Sequence, residues 1–404
     1  MADITNLKNL FNRNIPESDE KWGLVLCGGG TKGAYQVGAW KAITELKLPI
    51  KAITGTSIGA LNAALILQDD YEKMVNIYET IKITDILPVS DKVDPNKDIF
   101  DPSNLLELSK EFINQGGLDN TVLRDYITNC LDIKKIYDNP IDLGMVTFDV
   151  KSLEPVQVFK KDIPEDKLVD YLTASANFPI FRAKKVDGKA FMDGGLYDNM
   201  PINLLVDAGY DHIIVLNVNG LGSVRKIENP NNVYVKMIHC SEDLGGTFEF
   251  NKDRIRKNMT MGYLDTLRAF HKLFGVYYYF RRPAYNDLML NFGVETIYGL
   301  ETAAKFYNVD RVKIYKAEEF LDALEAAYVE ADKRYRETMK PRGASELLKW
   351  IRSTANEDDQ DISYFVDILQ EQPSFPTSNP LAKAFPEHIA AAKAIIELRN
   401  YRRL

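Results

Sequence analysis

Ser57 is the residue whose local sequence pattern most directly suggests a reaction. It lies in Gly55-Thr56-Ser57-Ile58-Gly59, a G-x-S-x-G pattern that follows an apolar segment and precedes a helical one. The flanking glycines permit the sharp strand-to-helix turn that exposes a serine hydroxyl. The pattern predicts a nucleophilic serine, with a purely structural turn as the alternative.

A nucleophilic serine needs a base, which can be a histidine or a carboxylate. The chain has four histidines, and their surroundings favour structural roles: His212, His239, His271 and His388. Asp193 is the acidic alternative, because it follows a short apolar segment and precedes Gly194-Gly195. Two glycines allow a tight turn and a close approach of another backbone segment. Taken alone, this stretch favours an ordinary Asp-Gly turn between strands.

The segment Gly28-Gly29-Gly30-Thr31-Lys32-Gly33 matches the G-x-G-x-x-G pattern of dinucleotide-binding loops. Consecutive glycine N–H groups at a helix N-terminus bind anions, which include a reaction oxyanion as well as a phosphate. A dinucleotide site also needs an acidic residue after the second strand, and here that strand leads into the Ser57 turn. The loop therefore favours an oxyanion site over a nucleotide site.

Short apolar segments that alternate with helical ones must position these residues. The predicted strands are Leu24–Cys27, Ile50–Ile53, Asp142–Phe148, Pro155–Phe159, Ile213–Val218 and Val233–His239. The clearest helices are Tyr35–Leu46 and Ile58–Gln68. This alternation predicts an α/β fold with a parallel or mixed sheet, and two neighbouring strand-to-helix turns would meet at its carboxyl edge.

The composition is that of an ordinary globular protein. Of 404 residues, 45% are hydrophobic and 27% are charged, and the formal net charge of −8 argues against nucleic acid as a partner. Cys27, Cys130 and Cys240 are far apart, which fits a reducing cytoplasm and neither a disulfide framework nor a zinc site. No segment has the roughly 20 apolar residues of a membrane span, and the N-terminus has no signal-peptide pattern. We expect a cytoplasmic protein, with any membrane contact peripheral.

The chain changes character after residue 218, where amphipathic helices such as Ala317–Met339 dominate. A polar segment at 88–104 resembles an insertion or lid, and residues 367–380 form a predicted loop. The aromatic segment 261–283 has basic flanks, so it could contact a lipid interface, but a helix packed against the catalytic domain explains the same aromatics and is favoured.

Three segments together resemble the patatin-like phospholipase family: "LVLCGGGTKGAYQVGAWKAI", "GTSIGALNAAL" and "ASANFPIFRAKKVDGKAFMDGGLYDNMPI". The resemblance covers residues 22–218, about half the chain, and implies a catalytic domain with a three-layer α/β/α core. It leaves residues 219–404 as a mostly helical C-terminal region of unknown role.

The resemblance also implies roles for individual residues. Ser57 is the nucleophile and Asp193 the general base of a Ser-Asp dyad that uses no histidine, metal or organic cofactor. The implied oxyanion hole consists of three glycines: Gly28, Gly29 and Gly30. The residues that support the three motifs are Thr31, Lys32, Gly33, Gly55, Gly59, Gly194 and Gly195. The implied activity is hydrolysis of lipid acyl esters, as by a phospholipase A or a lysophospholipase.

Two other functions remain open at this point. The glycine loop could serve a nucleotide-binding module, or the fold could bind lipid without catalysis. The lipid class, the chain-length preference and the oligomeric state do not follow from the residues.

Overall fold

The computed structural model describes residues 21–89, 93–94, 96–104, 117–182, 184–186, 188–228, 230–337, 360–372, 374 and 383–403. It divides into two compact units, Met1–Ala269 and Phe270–Leu404. The N-terminal segment predicted to lack a leader, part of the 88–104 insertion and most of the second half of the 367–380 loop lie outside the described residues. Residues 219–269, assigned by sequence to the C-terminal region, belong to the first unit.

The first unit alternates strands and helices as the sequence predicts. Its elements are β1 (Trp22–Leu26), α1 (Ala34–Glu45), β2 (Ile50–Thr56), α2 (Ile58–Ile66), α3 (Tyr71–Thr80), α4 (Thr121–Cys130), α5 (Ile133–Asp138), β3 (Asp142–Asp149), β4 (Glu154–Phe159), α6 (Leu168–Ser175), β5 (Lys184–Val186), β6 (Lys189–Asp193), α7 (Ile202–Asp207), β7 (His212–Asn217), β8 (Tyr234–His239) and α8 (Lys252–Ala269). The six predicted strands are confirmed with end shifts of a few residues. The short strands β5 and β6 were not predicted, because three to five residues carry too little periodicity.

The strands form one mixed sheet whose pairings run β5-β6-β3-β2-β1-β7-β8. Strands β2 and β6 pair with successive parts of one edge of β3, and β4 pairs with its other edge. Strands β3, β2, β1, β7 and β8 run parallel to one another, whereas β4 and β6 run antiparallel to β3. All five residues of β1 are buried, so both faces of the central sheet are covered, as helix-covered parallel strands require. The fold is therefore the expected three-layer α/β/α arrangement.

Helices α1 and α8 pack with their backbones in close approach. A Cβ atom on Gly38 of α1 would clash with the Met259 carbonyl, and one on Gly262 of α8 would clash with the Tyr35 carbonyl. The Tyr35 hydroxyl donates to Asp265 Oδ2 at 2.9 Å across this contact. Residues beyond 218 thus help to hold the helix that follows the glycine loop.

The second unit is mostly helical. Its described elements are β9 (Tyr279–Phe280), α9 (Arg282–Asn291), α10 (Val294–Phe306), β10 (Ile314–Tyr315), α11 (Ala317–Glu337), α12 (Gln360–Glu371) and α13 (Pro386–Tyr401). The predicted helix from Ala317 is confirmed and ends at Glu337 among the described residues. Its stripe of Phe320, Leu324 and Ala331 is buried in the core of this unit.

The aromatic segment 261–283 is buried at most of its aromatic residues, whereas Phe274 and Tyr277 are half-buried and Val276 is exposed. Tyr278, Tyr279 and Phe280 are fully buried, and Phe270 is nearly so. The predicted burial of these aromatics agrees with the structure, but the predicted helix does not extend over them: α8 ends at Ala269, and Tyr278 and Phe280 lie in the core of the second unit. Within the part of the chain that the structure describes, no helix combines the length and apolar character needed to cross a bilayer.

Candidate active site

Ser57 lies on a strained turn between β2 and α2. Its backbone has φ 55° and ψ −127°, a conformation that a residue with a side chain rarely adopts. A Cβ atom on Gly59 would clash with the Leu26 carbonyl, and one on Gly55 would clash with the backbone of Gly59. Only glycines therefore allow this turn to pack against the end of β1. The strain at Ser57 is of the kind that proteins retain at functional positions.

The register of β3 brings Asp193 to the same sheet edge as Ser57. Val146 of β3 pairs with Thr56 at the end of β2, and the next residue, Thr147, pairs with Asp193 at the end of β6. Strand β4 pairs with the other edge of β3 over these residues. Strand β6 therefore pairs with the same edge of β3 as β2 does, starting at the residue after the last one that β2 contacts. Two chain segments far apart in sequence therefore end side by side.

The Asp193 carboxyl is 4% exposed. Its Oδ1 accepts a hydrogen bond from Gly195 N at 2.7 Å. Its buried Oδ2 accepts no hydrogen bond of ordinary geometry from the described residues. Burial raises the pKa of Asp193 to about 6, against smaller lowering effects of the nearby Ser57 hydroxyl and the Gly195 amide. A carboxylate with one free oxygen and a raised pKa is suited to accept a proton.

The glycine loop is held over the sheet by Asn199. Gly28 N donates to the Asn199 carbonyl at 3.3 Å, and Asn199 Nδ2 donates to the Gly28 carbonyl at 3.3 Å. The Gly28 N–H is thus engaged, whereas the Gly29 and Gly30 N–H groups have no hydrogen-bond partner among the described residues. Of the three glycines predicted to bind an oxyanion, Gly29 and Gly30 are the two with available donors.

A segment around Thr247, which sequence reasoning did not connect with the site, fixes the other side of the loop. Thr31 N donates to the Thr247 carbonyl at 2.8 Å, and Thr31 Oγ1 donates to the Gly246 carbonyl at 3.0 Å. Gly30 has φ +59°, and a Cβ there would clash with the Thr247 carbonyl. Lys32 Nζ donates to the Asn219 carbonyl at 3.4 Å. Thr31 and Lys32 thus anchor the loop.

The remaining motif glycines allow neighbouring side chains and backbone to pack closely around Ser57 and Asp193. A Cβ on Gly33 would approach the Tyr78 hydroxyl to 2.5 Å, and one on Gly195 would approach Asp193 Oδ1 to 3.0 Å. A Cβ on Gly194 would clash with the Val146 carbonyl. These three positions support the turn geometry and place no reactive group in the site.

Ser175 is a second residue that sequence reasoning missed. Its Oγ accepts a hydrogen bond from Ser57 N at 3.1 Å and donates one to the Val146 carbonyl at 2.7 Å. The fully buried Ser175 at the end of α6 therefore links the Ser57 turn to β3. Its position in the "ASANFPIF" segment was the one sequence signal for a role at the site. Its hydrogen-bond partners, Ser57 and Val146, are distant in sequence and could not be predicted from that segment.

Ser57 and Asp193 line one cavity, which we call the catalytic cavity. Its space amounts to about 610 Å³ when the part open to solvent is included, and its wall includes Gly29, Gly30 and Leu221. All four histidines of the chain are described by the structure, and none lines this cavity. Asp193 is therefore the residue of this wall, and not a histidine, that could accept a proton from Ser57.

A second, almost entirely apolar cavity of about 740 Å³ adjoins it, and we call it the inner cavity. The two cavities share seven wall residues: Gly30, Ile58, Leu61, Ile86, Leu123, Thr247 and Phe248. The inner cavity continues toward Ile77, Tyr126 and Cys130, which the catalytic cavity does not reach. Apolar space therefore extends inward from the neighbourhood of Ser57.

Comparison with known proteins matches residues 24–206 to the family model described as "Patatin-like phospholipase". The chain is 28% identical over 200 residues, 48% of its length, to patatin-like phospholipase domain-containing protein 7 of Rattus norvegicus. It is 57% identical over 47 residues, 12% of its length, to lysophospholipase nte1 of Aspergillus terreus. These matches span only 13% and 3% of the two curated relatives.

Among solved structures, VipD from Legionella pneumophila aligns with 95% of this chain and 86% of its own, at 15% identity and a TM-score of 0.40. The family match covers the glycine loop, the Ser57 turn and the Asp193 turn in one continuous range. Residues 24–206 of this chain therefore form a domain of the patatin-like phospholipase family.

Proposed function

We propose that the protein hydrolyses acyl ester bonds of lipids through Ser57 and Asp193. The observation that carries this proposal is the placement of a strained, cavity-lining serine beside a buried carboxylate with one unpartnered oxygen. The family match and the relatives named as phospholipases support the lipid ester as substrate.

In the first half-reaction Ser57 Oγ attacks the ester carbonyl carbon while the Asp193 carboxylate takes the hydroxyl proton. The negative charge that develops on the carbonyl oxygen is stabilised by the N–H groups of Gly29 and Gly30. The bond between the carbonyl carbon and the alcohol oxygen then breaks. The alcohol leaves with the proton held by Asp193, and the acyl group remains on Ser57.

In the second half-reaction a water molecule attacks the acyl-enzyme while Asp193 again takes a proton. The oxyanion forms a second time at the glycine loop. Ser57 leaves with the proton returned by Asp193, and the fatty acid is released. Asn199 and Ser175 are positioning residues in this scheme, because they hold the loop and the turn without contacting the reacting atoms.

The inner cavity supports a long acyl chain as the part of the substrate next to the ester. Its wall is apolar, and it adjoins the catalytic cavity. Each methylene group moved from water into such a site contributes about 0.8 kcal/mol. A long-chain ester would therefore be bound more tightly than a short one.

Filling the inner cavity is expected to change the chain-length preference. Cys130→Phe adds bulk at a wall residue that the catalytic cavity does not reach. Displacing about two methylenes would lower kcat/KM for a long-chain nitrophenyl ester about tenfold, with little change for a butyrate ester. Asn129→Phe, at the exposed neighbouring position of α4, is the matched control. An equal loss for both esters in Cys130→Phe would contradict this role of the cavity.

A fluorophosphonate probe tests the proposed function directly, because it reacts covalently with activated serines. We expect the probe to label Ser57 stoichiometrically, as identified by mass spectrometry of the labelled peptide. A folded protein that binds lipid vesicles but resists the probe would instead be a catalytically silent lipid-binding protein. Thermal stabilisation by NAD or ATP without labelling would favour the nucleotide-binding alternative.

A further inference from the structure

Three large apolar side chains are exposed beside the catalytic cavity. Leu196, Leu221 and Val224 are 45%, 64% and 58% exposed. Leu196 follows the Asp193 turn, and the other two lie in the loop after β7. We call these three residues the apolar rim. Leaving such side chains in water is unfavourable, so a group of them at one place marks a binding surface.

The two segments that carry the apolar rim are hydrogen-bonded to each other. Ser223 N donates to the Gly195 carbonyl at 2.8 Å, and Asn199 N donates to the Ser223 carbonyl at 2.6 Å. Leu221 also lines the catalytic cavity together with Ser57. The rim is therefore part of the mouth through which a substrate would reach the dyad.

Positive charges accompany the rim, although the chain as a whole has a net charge of −8. The exposed Arg225 stacks on the Tyr197 ring, with its guanidinium carbon 4.7 Å from the ring centroid. Lys226 is also exposed, and Lys32 donates to the carbonyl of Asn219 in the same loop.

Two acidic groups face these cations. Glu228 Oε1 lies 3.7 Å from the Arg225 guanidinium, and the Asp198 carboxyl interacts with the Arg225 charge and with the Arg225 backbone amide. Three cations against these two carboxylates leave a local excess of one positive charge.

We propose that the apolar rim docks the catalytic cavity onto the surface of an anionic phospholipid bilayer. Leu196, Leu221 and Val224 would enter the boundary between headgroups and acyl chains, and the three cations would face lipid phosphates. This inference rests on the proposed function for the nature of the substrate, but vesicle binding does not require turnover. Docking in this orientation would let a lipid ester pass from the bilayer to Ser57 without crossing water.

Vesicle co-sedimentation of the full chain tests the proposal. With vesicles of phosphatidylcholine and phosphatidylglycerol, we expect Leu196→Ser/Val224→Ser to lower the partition coefficient about tenfold or more, because two inserted apolar side chains are lost. Leu290→Ser/Val329→Ser is the matched control, since these residues of the second unit are 84% and 55% exposed. The control is expected to bind as the unchanged protein does. Pure phosphatidylcholine or high salt should weaken binding several-fold.

Equal binding by the rim variant and the unchanged protein would overturn the proposal, and so would failure of the unchanged protein to bind anionic vesicles. The rim would then serve a protein partner. Hydrolysis of a soluble butyrate ester, measured on the same variants, separates this outcome from failure of the proposed function. A rim variant that hydrolyses the soluble ester normally but no longer binds vesicles supports the docking surface, whereas an unchanged protein with no esterase activity contradicts the dyad alone.

Discussion

Replacing Ser57 with alanine is expected to lower ester hydrolysis by about 10⁴-fold or more, because the covalent intermediate can no longer form. The strained turn does not depend on the hydroxyl, since Ser57 N and not its Oγ donates to Ser175. The variant should therefore fold normally. The measurement is kcat/KM for a nitrophenyl butyrate, with a thermal melt to check folding.

Ser152→Ala provides the matched control for this change. Ser152 lies in the exposed turn between β3 and β4, outside the catalytic cavity. We expect activity within about twofold of the unchanged protein, because surface substitutions of this kind have small effects. Retention of more than about a tenth of the activity in Ser57→Ala would assign the chemistry to another residue.

Replacing Asp193 with asparagine is expected to lower kcat about 10³- to 10⁴-fold, because an amide cannot accept the serine proton. The change keeps the size of the side chain and the acceptor for Gly195 N. Burial raises the pKa of Asp193 to about 6, so the native protein binds this proton more tightly than the unfolded chain does. The contribution of this group to stability is present at low pH and is lost as the pH rises through about 6.

At pH 8 the charged, buried carboxylate therefore costs stability, on the order of 3 kcal/mol for a pKa raised to about 6. Asp193→Asn removes this cost, and we expect its melting temperature to equal or exceed that of the unchanged protein. An inactive variant that is also more stable would be difficult to explain by misfolding. A variant with full activity would exclude Asp193 as the base.

The pH dependence of kcat/KM offers a second measurement on the same residue. Only the ionised carboxyl can accept a proton, so activity should fall about tenfold per pH unit below about pH 6. Asp198 is the necessary control, because burial also raises its pKa to about 6 but it does not line the catalytic cavity. Asp198→Asn should keep the acid limb of the profile. Loss of that limb in Asp198→Asn would show that the pH dependence reports the ionisation of Asp198 and not that of Asp193.

The Ser57 turn shows how much a local pattern can predict. A strand, a turn and a helix that follow one another in the sequence are also neighbours in space, so a local pattern is enough to predict them. The glycines at 55 and 59 indicate that the turn is tight. The strand-turn-helix context was therefore confirmed. The role of Ser57 stays a prediction until the labelling experiment is done.

Asp193 shows where local reasoning ended. Its own stretch offered it as the acidic alternative but favoured an ordinary turn, and only the resemblance to a family implied its role as the base. Its place beside Ser57 depends on β6 pairing with the free edge of β3 beyond Val146. That pairing joins segments far apart in sequence, and a strand of five residues has too little pattern to predict it.

The sequence by itself determined the α/β fold, the glycine loop and the exposed serine turn, because each depends on residues that are neighbours in the chain. Only the tertiary structure decided which carboxylate faces the serine, which glycine N–H groups stay available and where apolar space adjoins the site. Those features arise from contacts such as Gly28 with Asn199 and Thr31 with Thr247, which span 171 and 216 residues. Periodicity and turn propensity contain no information on such distant pairs.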